Sequence, residues 1–469
     1  MTNYFLTVTI LITTSLAVFL GYRFQSEEQN RTQTKLNDID CVGPFQLTNI
    51  SADCFFKDDY FAARQLFLKS AEAAGAEIMF LPVTEGLGTD VAILRGTTLS
   101  KRFLIHLSGI HGVEGYAGSA VQSAALQYLG HQREMARMVD ENESAEVSSE
   151  GYPTIVFVHA MNPYGFANSR RVNEDNVDLN RNFLTEEEFS NVQARSPNYA
   201  GYFDLDTLIN PKHQVSSSIV INDLFNVFRT LLALGRYGLL HLKKALVSGN
   251  YHKKNGVGFG GYSMARSARN LVDLVQGDVL DIKNADQVVL VDVHTGLGPT
   301  GVDTIFTNPP AALKHFPTEK NFESSSTSTC CSKKESVTGG IHASFNPRKM
   351  KEDDALSGYD LTVGQTTSGF CDNFLSQGMD KEKVVCLLQE FGTVSPIVVG
   401  RTMIAENYAH FYGSDDEKKL YQKRYRDCFY VDSKQWRRSV VRRGLSIIRQ
   451  SLVRLGSRPD DLPAPIFLS

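Results

Sequence analysis

The chain has 469 residues, 42% hydrophobic and 21% charged, so its composition is globular and excludes an intrinsically disordered polymer. A net charge of -4 gives no global signal for nucleic acid, and seven cysteines in this length exclude a disulfide-dense miniature scaffold. The length allows one large domain or two to three ordinary ones.

The first predicted element runs from Tyr4 to Tyr22 without a charge. It is long enough to cross a bilayer as a helix of about 20 residues. A cleaved secretory signal is the rival reading, because Ser15-Leu16-Ala17 offers a small-x-small cleavage site. No Lys or Arg precedes the run, which favours an uncleaved anchor over a signal; a buried helix is a third reading. Residues 1–23 are therefore expected to be a membrane anchor or signal segment, and 24–40 a linker. The protein is expected at a membrane as a single-pass chain, or in the secretory pathway. Its orientation stays open. Arg23, Arg31 and Lys35 would hold the body in the cytosol. Sequons at Asn30, Asn49 and Asn142, and a bridge that Cys41 and Cys54 could form, point to a lumen instead.

Tyr60 to Ala76 reads as a helix, followed by the strand EIMFLPV. VAILRG, RFLIHLSGI, TIVFVHAMNP, QVVLVDVHTGL and KVVCLLQEFGT are further strands. Several are continuous apolar runs, as strands covered on both faces should be. Helical stretches alternate with them, one beginning at Ser119 and one apolar between Leu224 and Leu246. The alternation predicts an α/β fold with a mixed, largely parallel sheet sandwiched by helices. The glycine loop Gly256 to Gly261 follows a helix rather than a strand, which does not suit a dinucleotide; a tight turn is expected, with cleft lining as the alternative. The polar segment 321–336 reads as a flexible surface insertion, with Cys330 and Cys331 as exposed bystanders. The basic end from Lys418 to Arg454 is expected to be a terminal helix on the core with a solvated basic face, rather than a membrane-surface helix.

In open α/β sheets the chemistry collects beyond the carboxyl ends of strands. RFLIHLSGI leads there into His111-Gly112-Val113-Glu114, and QVVLVDVHTGL delivers His294. Two imidazoles and one carboxylate make a zinc set that leaves a position open, the arrangement of catalytic sites. Asp292 shares a strand face with His294 and could orient it, or could simply be a buried capping residue. The string DLNRNF supplies Asn180 and Arg181, suited to gripping a carboxylate. Arg171 could polarise a carbonyl oxygen, and Glu390 at the end of KVVCLLQEF could act as general base. His106 and His159, inside apolar strands, read as core residues. No G-x-S-x-G elbow and no H-E-x-x-H occurs, which disfavours a serine hydrolase or an H-E-x-x-H endopeptidase.

With these elements in this order, the chain resembles the zinc carboxypeptidase superfamily. HTGLG, NPYGF and EFGT look closest to a branch of unknown function beside the carboxypeptidases and N-acyl-amino-acid deacylases. The resemblance implies a catalytic domain over 41–432, leaving 433–469 as a basic C-terminal helix and tail. It implies one zinc ion held by His111, Glu114 and His294, Arg171 stabilising the oxyanion, Asn180 and Arg181 binding the substrate carboxylate, and Glu390 as base. Tyr359 is the candidate for the family's substrate-covering tyrosine. The expected function is zinc-dependent hydrolysis of an amide next to a free carboxylate, in a peptide or an N-acyl amino acid. A deacylase and a non-catalytic membrane-tethered binding protein are the alternatives. The stretch between Phe183 and His294 is longer than the family's usual pattern.

Overall fold

A computed structural model describes residues 36, 51–97, 100–140, 152–216, 218–308, 310–316, 341–342, 361–376 and 378–457. The N-terminal apolar run, the asparagines of the three sequons, Cys41, the 321–336 insertion and Tyr359 lie outside these residues. Among the described residues no helix is long and apolar enough to cross a membrane. Cys54 is disulfide-bonded.

Asp59 starts helix α1 (Tyr60–Ala73) by accepting a hydrogen bond from the Ala62 amide, and the chain then forms the hairpin β1 (Glu77–Thr84) and β2 (Leu87–Leu94). Strand β3 (Arg102–Ser108) leads to α2 (Gly115–Asp140), and β4 (Thr154–His159) to the short α3 (Pro163–Ala167). Five helices follow: α4 (Glu186–Gln193), α5 (Asp206–Ile209), α6 (Ile219–Tyr237), α7 (Leu239–Val247) and α8 (Arg266–Gln276). The chain continues through β5 (Gln287–Thr300), β6 (Asp303–Asn308), β7 (Ile341–His342), α9 (Thr366–Ser376) and β8 (Val384–Gly392). It closes with α10 (Pro396–Tyr412), α11 (Asp415–Phe429) and α12 (Lys434–Arg454).

The described strands form one eight-stranded sheet in the order β1-β2-β4-β3-β5-β8-β6-β7. Its centre, β4-β3-β5-β8, is parallel, while β1, β2 and β6 attach antiparallel. All seven residues of β3 are buried, which explains the unbroken apolar run. One face packs on α1, α2 and α12, the other on α8 and α9. A disulfide between Cys371 and Cys386 ties α9 to β8. The fold is the α/β sandwich with a mixed sheet that the alternation of elements predicts.

Three elements differ from expectation. The apolar stretch Leu224–Leu246 is two helices rather than one, because Gly238 at φ +79° breaks it. The strand β6 carries threonines and an aspartate, and its polar alternation hid it. The basic C-terminus is two helices, and the basic face of α12 is not wholly solvated. Trp436, Val440, Ile448 and Leu452 enter the core, and Arg437 and Arg443 are buried with them. Their guanidinium groups reach the carboxylates of Asp53 at 2.5 Å and Asp303 at 2.8 Å.

Asp303 also accepts from Gln389 Nε2 at 2.8 Å, so this pair anchors α12 to β6 and β8 beside the site strands. Arg443→Ala leaves the buried carboxylate without its cation and should cost about 3–5 kcal/mol of stability. Equilibrium denaturation checks this, and a loss below about 1 kcal/mol, the size of a surface pair, contradicts it.

Candidate metal centre

The site forms where the central parallel strands end. Beyond β3, Gly109 at φ +66° turns the chain toward His111, and residues 112–114 make a tight turn before α2. That turn lies against α3, the helix started by NPYGF: the Asn162 side chain accepts from the Gly165 amide. A Cβ on Gly112 would sit 2.1 Å from backbone atoms of Gly165 and Phe166, so only glycine lets the two segments touch. On the neighbouring strand β5, His294 is in register with Glu390 of β8. The two are side by side in parallel strands, so their side chains leave the same face of the sheet.

His111, Glu114 and His294 converge. Their potential ligand atoms lie within 4.8 Å of one another, and all three residues are buried. His111 Nδ1 stands 2.8 Å from Glu114 Oε1 and 3.2 Å from His294 Nδ1. His294 Nδ1 is 3.1 Å from Glu114 Oε2. The far nitrogen of each ring faces a carboxylate: His111 Nε2 lies 3.2 Å from Asp178 Oδ1, and His294 Nε2 lies 3.0 Å from Asp292 Oδ2. With the ring protons on Nε2, both imidazoles donate outward and turn their Nδ1 lone pairs inward, as metal-binding histidines do. Ligands around tetrahedral zinc, at about 2.0–2.1 Å from the ion, stand roughly 3.3 Å apart. The three donors therefore fit a zinc ion after a small outward shift. The Thr295 amide, at 3.1 Å, also donates to Glu114 and fixes its carboxylate.

The electrostatics of the cluster favour positive charge at its centre. Burial alone would raise the Glu114 carboxyl, but the His111 and His294 rings overcome it and hold the group well below its ordinary value. Burial would lower His294, yet Asp292 and Glu114 push it well above its usual range. Asp178 is held low against its own burial by Arg171 and His111. Glu390 behaves oppositely. Burial and the charge of Glu114 raise its carboxyl from 4.5 to about 7, although the Leu297 amide donates to it at 2.9 Å.

Arg171 bridges the cluster, with Nη1 3.2 Å from Glu114 Oε1 and Nε 2.9 Å from Asp178 Oδ2. It is thus held by two carboxylates rather than extended alone into the cavity. Asn180 accepts from the Thr366 amide at 2.9 Å. Arg181 donates from Nε to the Val247 carbonyl at 2.8 Å and from Nη1 to the Asn180 carbonyl at 2.6 Å. His111, Glu114, His294, Arg171, Asn180, Arg181 and Glu390 all line one cavity of about 740 Å³. The glycine loop serves both readings that the sequence leaves open. Gly258 lines the cavity, and the Phe259 and Gly260 carbonyls accept from the Asp178 amide and the Asn182 side chain. The loop thereby positions DLNRNF.

Two residues carry no sequence signal. Asp178 orients His111 but sits in DLNRNF like a turn residue. Tyr425, on α11, brings a buried phenol to the cavity, and its oxygen has no hydrogen-bond partner among the described residues. Burial holds that phenol well above its ordinary value, so it stays a protonated donor. His106 and His159 are fully buried core residues, bound to Gln122 and Ser119, and burial lowers both to about 3.

Fold and site together define an α/β protein with a candidate metal centre at the carboxyl edge of its mixed sheet. The chain belongs to the family described as Protein of unknown function (DUF2817), whose profile matches residues 56–358 and 356–443. No curated protein matches. Among solved structures it is similar to thrombin activatable fibrinolysis inhibitor, with 11% identity and a TM-score of 0.36 over 84% of this chain and 78% of that one. A metallo-carboxypeptidase from Pseudomonas aeruginosa shows 12% identity and a TM-score of 0.31 over 84% of this chain and 69% of that one.

The raised Glu390 carboxyl sets a pH test on metal-free protein. Below pH 4.5 the group is protonated in folded and unfolded chains alike. As pH rises from 4.5 to about 7, the unfolded carboxyl ionises while the folded one keeps its proton, so folding stability is lost across that window. Glu390→Gln removes the loss. Denaturation of both chelated proteins at about pH 5 and about pH 8 should show the variant gaining relative stability with pH. A constant or shrinking difference contradicts the assignment.

Proposed function

We propose that the protein is a metal-dependent hydrolase, with zinc as its ion, that cleaves an amide bond next to a free carboxylate. The observation that carries this reading is the register pairing of His294 with Glu390. It sets a buried carboxyl of raised pKa beside the two-histidine, one-glutamate cluster. A protein that only bound ligands would have no use for such a base.

A bound zinc ion supplies Lewis acidity, polarising the carbonyl and acidifying water toward a pKa of about 7. The protein's own groups do the rest. Glu390 takes the proton of the attacking water and passes it to the departing amine. Arg171, kept in place by Asp178 and Glu114, offers positive charge to the carbonyl oxygen as it becomes negative. Tyr425 adds a neutral donor to the same cavity. Asn180 and Arg181 hold the substrate carboxylate and so set the distance from the carboxylate to the scissile bond. A peptide with a free C-terminus and an N-acyl amino acid both present an amide and a carboxylate at this separation, so the same residues serve either.

Glu390→Gln keeps the shape but cannot accept a proton. It should retain fold and zinc while kcat falls roughly 10²–10⁴-fold. Near-normal turnover with normal zinc content would remove Glu390 as the base. Arg181→Ala, or amidation of the substrate carboxylate, should mainly raise KM. Equal cleavage of amidated and free substrates would contradict carboxylate recognition.

A further inference from the structure

The cavity that holds the polar site has an apolar part, here called the arm, that the mechanism does not use. Its wall includes Leu208 of α5, Leu234 of α6, Leu242 and Leu246 of α7, and Met403 and Ile404 of α10. These side chains belong to an apolar cluster separate from the two cores that flank the sheet. The wall is mainly aliphatic, with Thr230, Lys243 and Arg401 also lining the cavity, and it starts beside the polar end: Leu246 precedes Val247, whose carbonyl accepts from Arg181. At about 740 Å³ the whole cavity stands in the upper part of the range of roughly 300–1,000 Å³ that holds drug-sized ligands. A single amino-acid side chain leaves most of that space empty.

The helix that walls the arm is apolar on its outer face too. Ile221, Leu224, Phe228 and Leu232 are exposed at spacings of three and four, one stripe along α6. A helix apolar toward both cavity and solvent departs from the usual amphipathic pattern.

We propose that the arm receives the hydrocarbon chain of a long-chain N-acyl amino acid, so the substrate is an amphiphile with a chain on one side of the scissile amide and a carboxylate on the other. This rests on the hydrolase reading above and names its substrate class. Hydrolysis breaks the C–N bond and forms a C–O bond to water. The products are a long-chain carboxylate, which keeps the water oxygen, and an amino acid, whose ammonium carries both water protons.

The test uses the zinc-loaded full chain and N-acyl derivatives of one amino acid, from acetyl to palmitoyl, each below its micelle concentration. Each added methylene should raise kcat/KM about three- to fourfold until the arm is filled. Leu246→Trp narrows the arm and should lower the long-to-short ratio of kcat/KM roughly tenfold or more. Leu234→Trp, on a different helix, should shift the ratio the same way, so one misfolded variant does not decide the matter. A fluorescent long-chain fatty acid reads the arm without turnover. It should bind saturably to the wild-type protein and about tenfold more weakly to either variant. Acetyl and palmitoyl substrates cleaved with equal kcat/KM, and no saturable fatty-acid binding, overturn the proposal and leave the hydrolase reading standing. Saturable fatty-acid binding without cleavage of any amide removes the hydrolase reading and retains the acyl arm.

Discussion

Buried negative charge governs this structure. Glu114, Asp178, Asp292 and Glu390 are all less than a tenth exposed, and they surround two imidazoles at one edge of the sheet. Charge taken from water is costly unless it is paired. Arg171 neutralises part of it by bridging Glu114 and Asp178, and the His111 and His294 rings touch the carboxylates that remain. The donors themselves point inward to a common centre, which a divalent cation satisfies better than a proton can. The lowered Glu114 is held by its contact with the imidazoles, while burial and the charge of Glu114 keep the proton on Glu390 up to a pH of about 7.

The fold meets this constraint with parallel strands and close backbone contacts. Parallel pairing of β3, β5 and β8 brings three strand ends to one edge, so residues distant in sequence meet there without long loops. Glycine then brings the backbone in. Gly112 touches α3, and a Cβ on Gly392 would meet the Pro299 carbonyl oxygen at 2.0 Å, where β5 bends back over β8. The bend turns the Leu297 amide toward Glu390. Glycines in HTGLG and EFGT thus shape the base's surroundings rather than marking flexible chain.

What the sequence made legible was periodic or chemical. Six apolar runs announced six strands: five are buried along most of their length, as strands covered on both faces must be apolar, while β1 at the sheet edge is apolar though half exposed. The three candidate ligands were visible because their residue types are rare at strand ends, and Asp292 because alternation puts it on the face of His294. What stayed hidden was set by tertiary contact. Asp178 resembles any turn aspartate until β3 brings His111 to it. Tyr425 lies in a charged helix, and only packing shows that its ring turns inward. β6 has polar threonines because it neighbours buried polar groups, and Arg443 passes for a surface residue until Asp303 is seen beneath it. The acyl arm is assembled from α5, α6, α7 and α10, whose apolar residues read individually as core.

The proposed chemistry depends on His111, Glu114 and His294 forming one metal centre. X-ray absorption at the zinc edge, on protein loaded with one equivalent of zinc, tests it most directly. The expected result is a sulfur-free shell of nitrogen and oxygen donors at about 2.0–2.2 Å with the outer-shell pattern of two imidazoles, reduced to one in His294→Ala. A shell containing sulfur, or one unchanged in that variant, would contradict it.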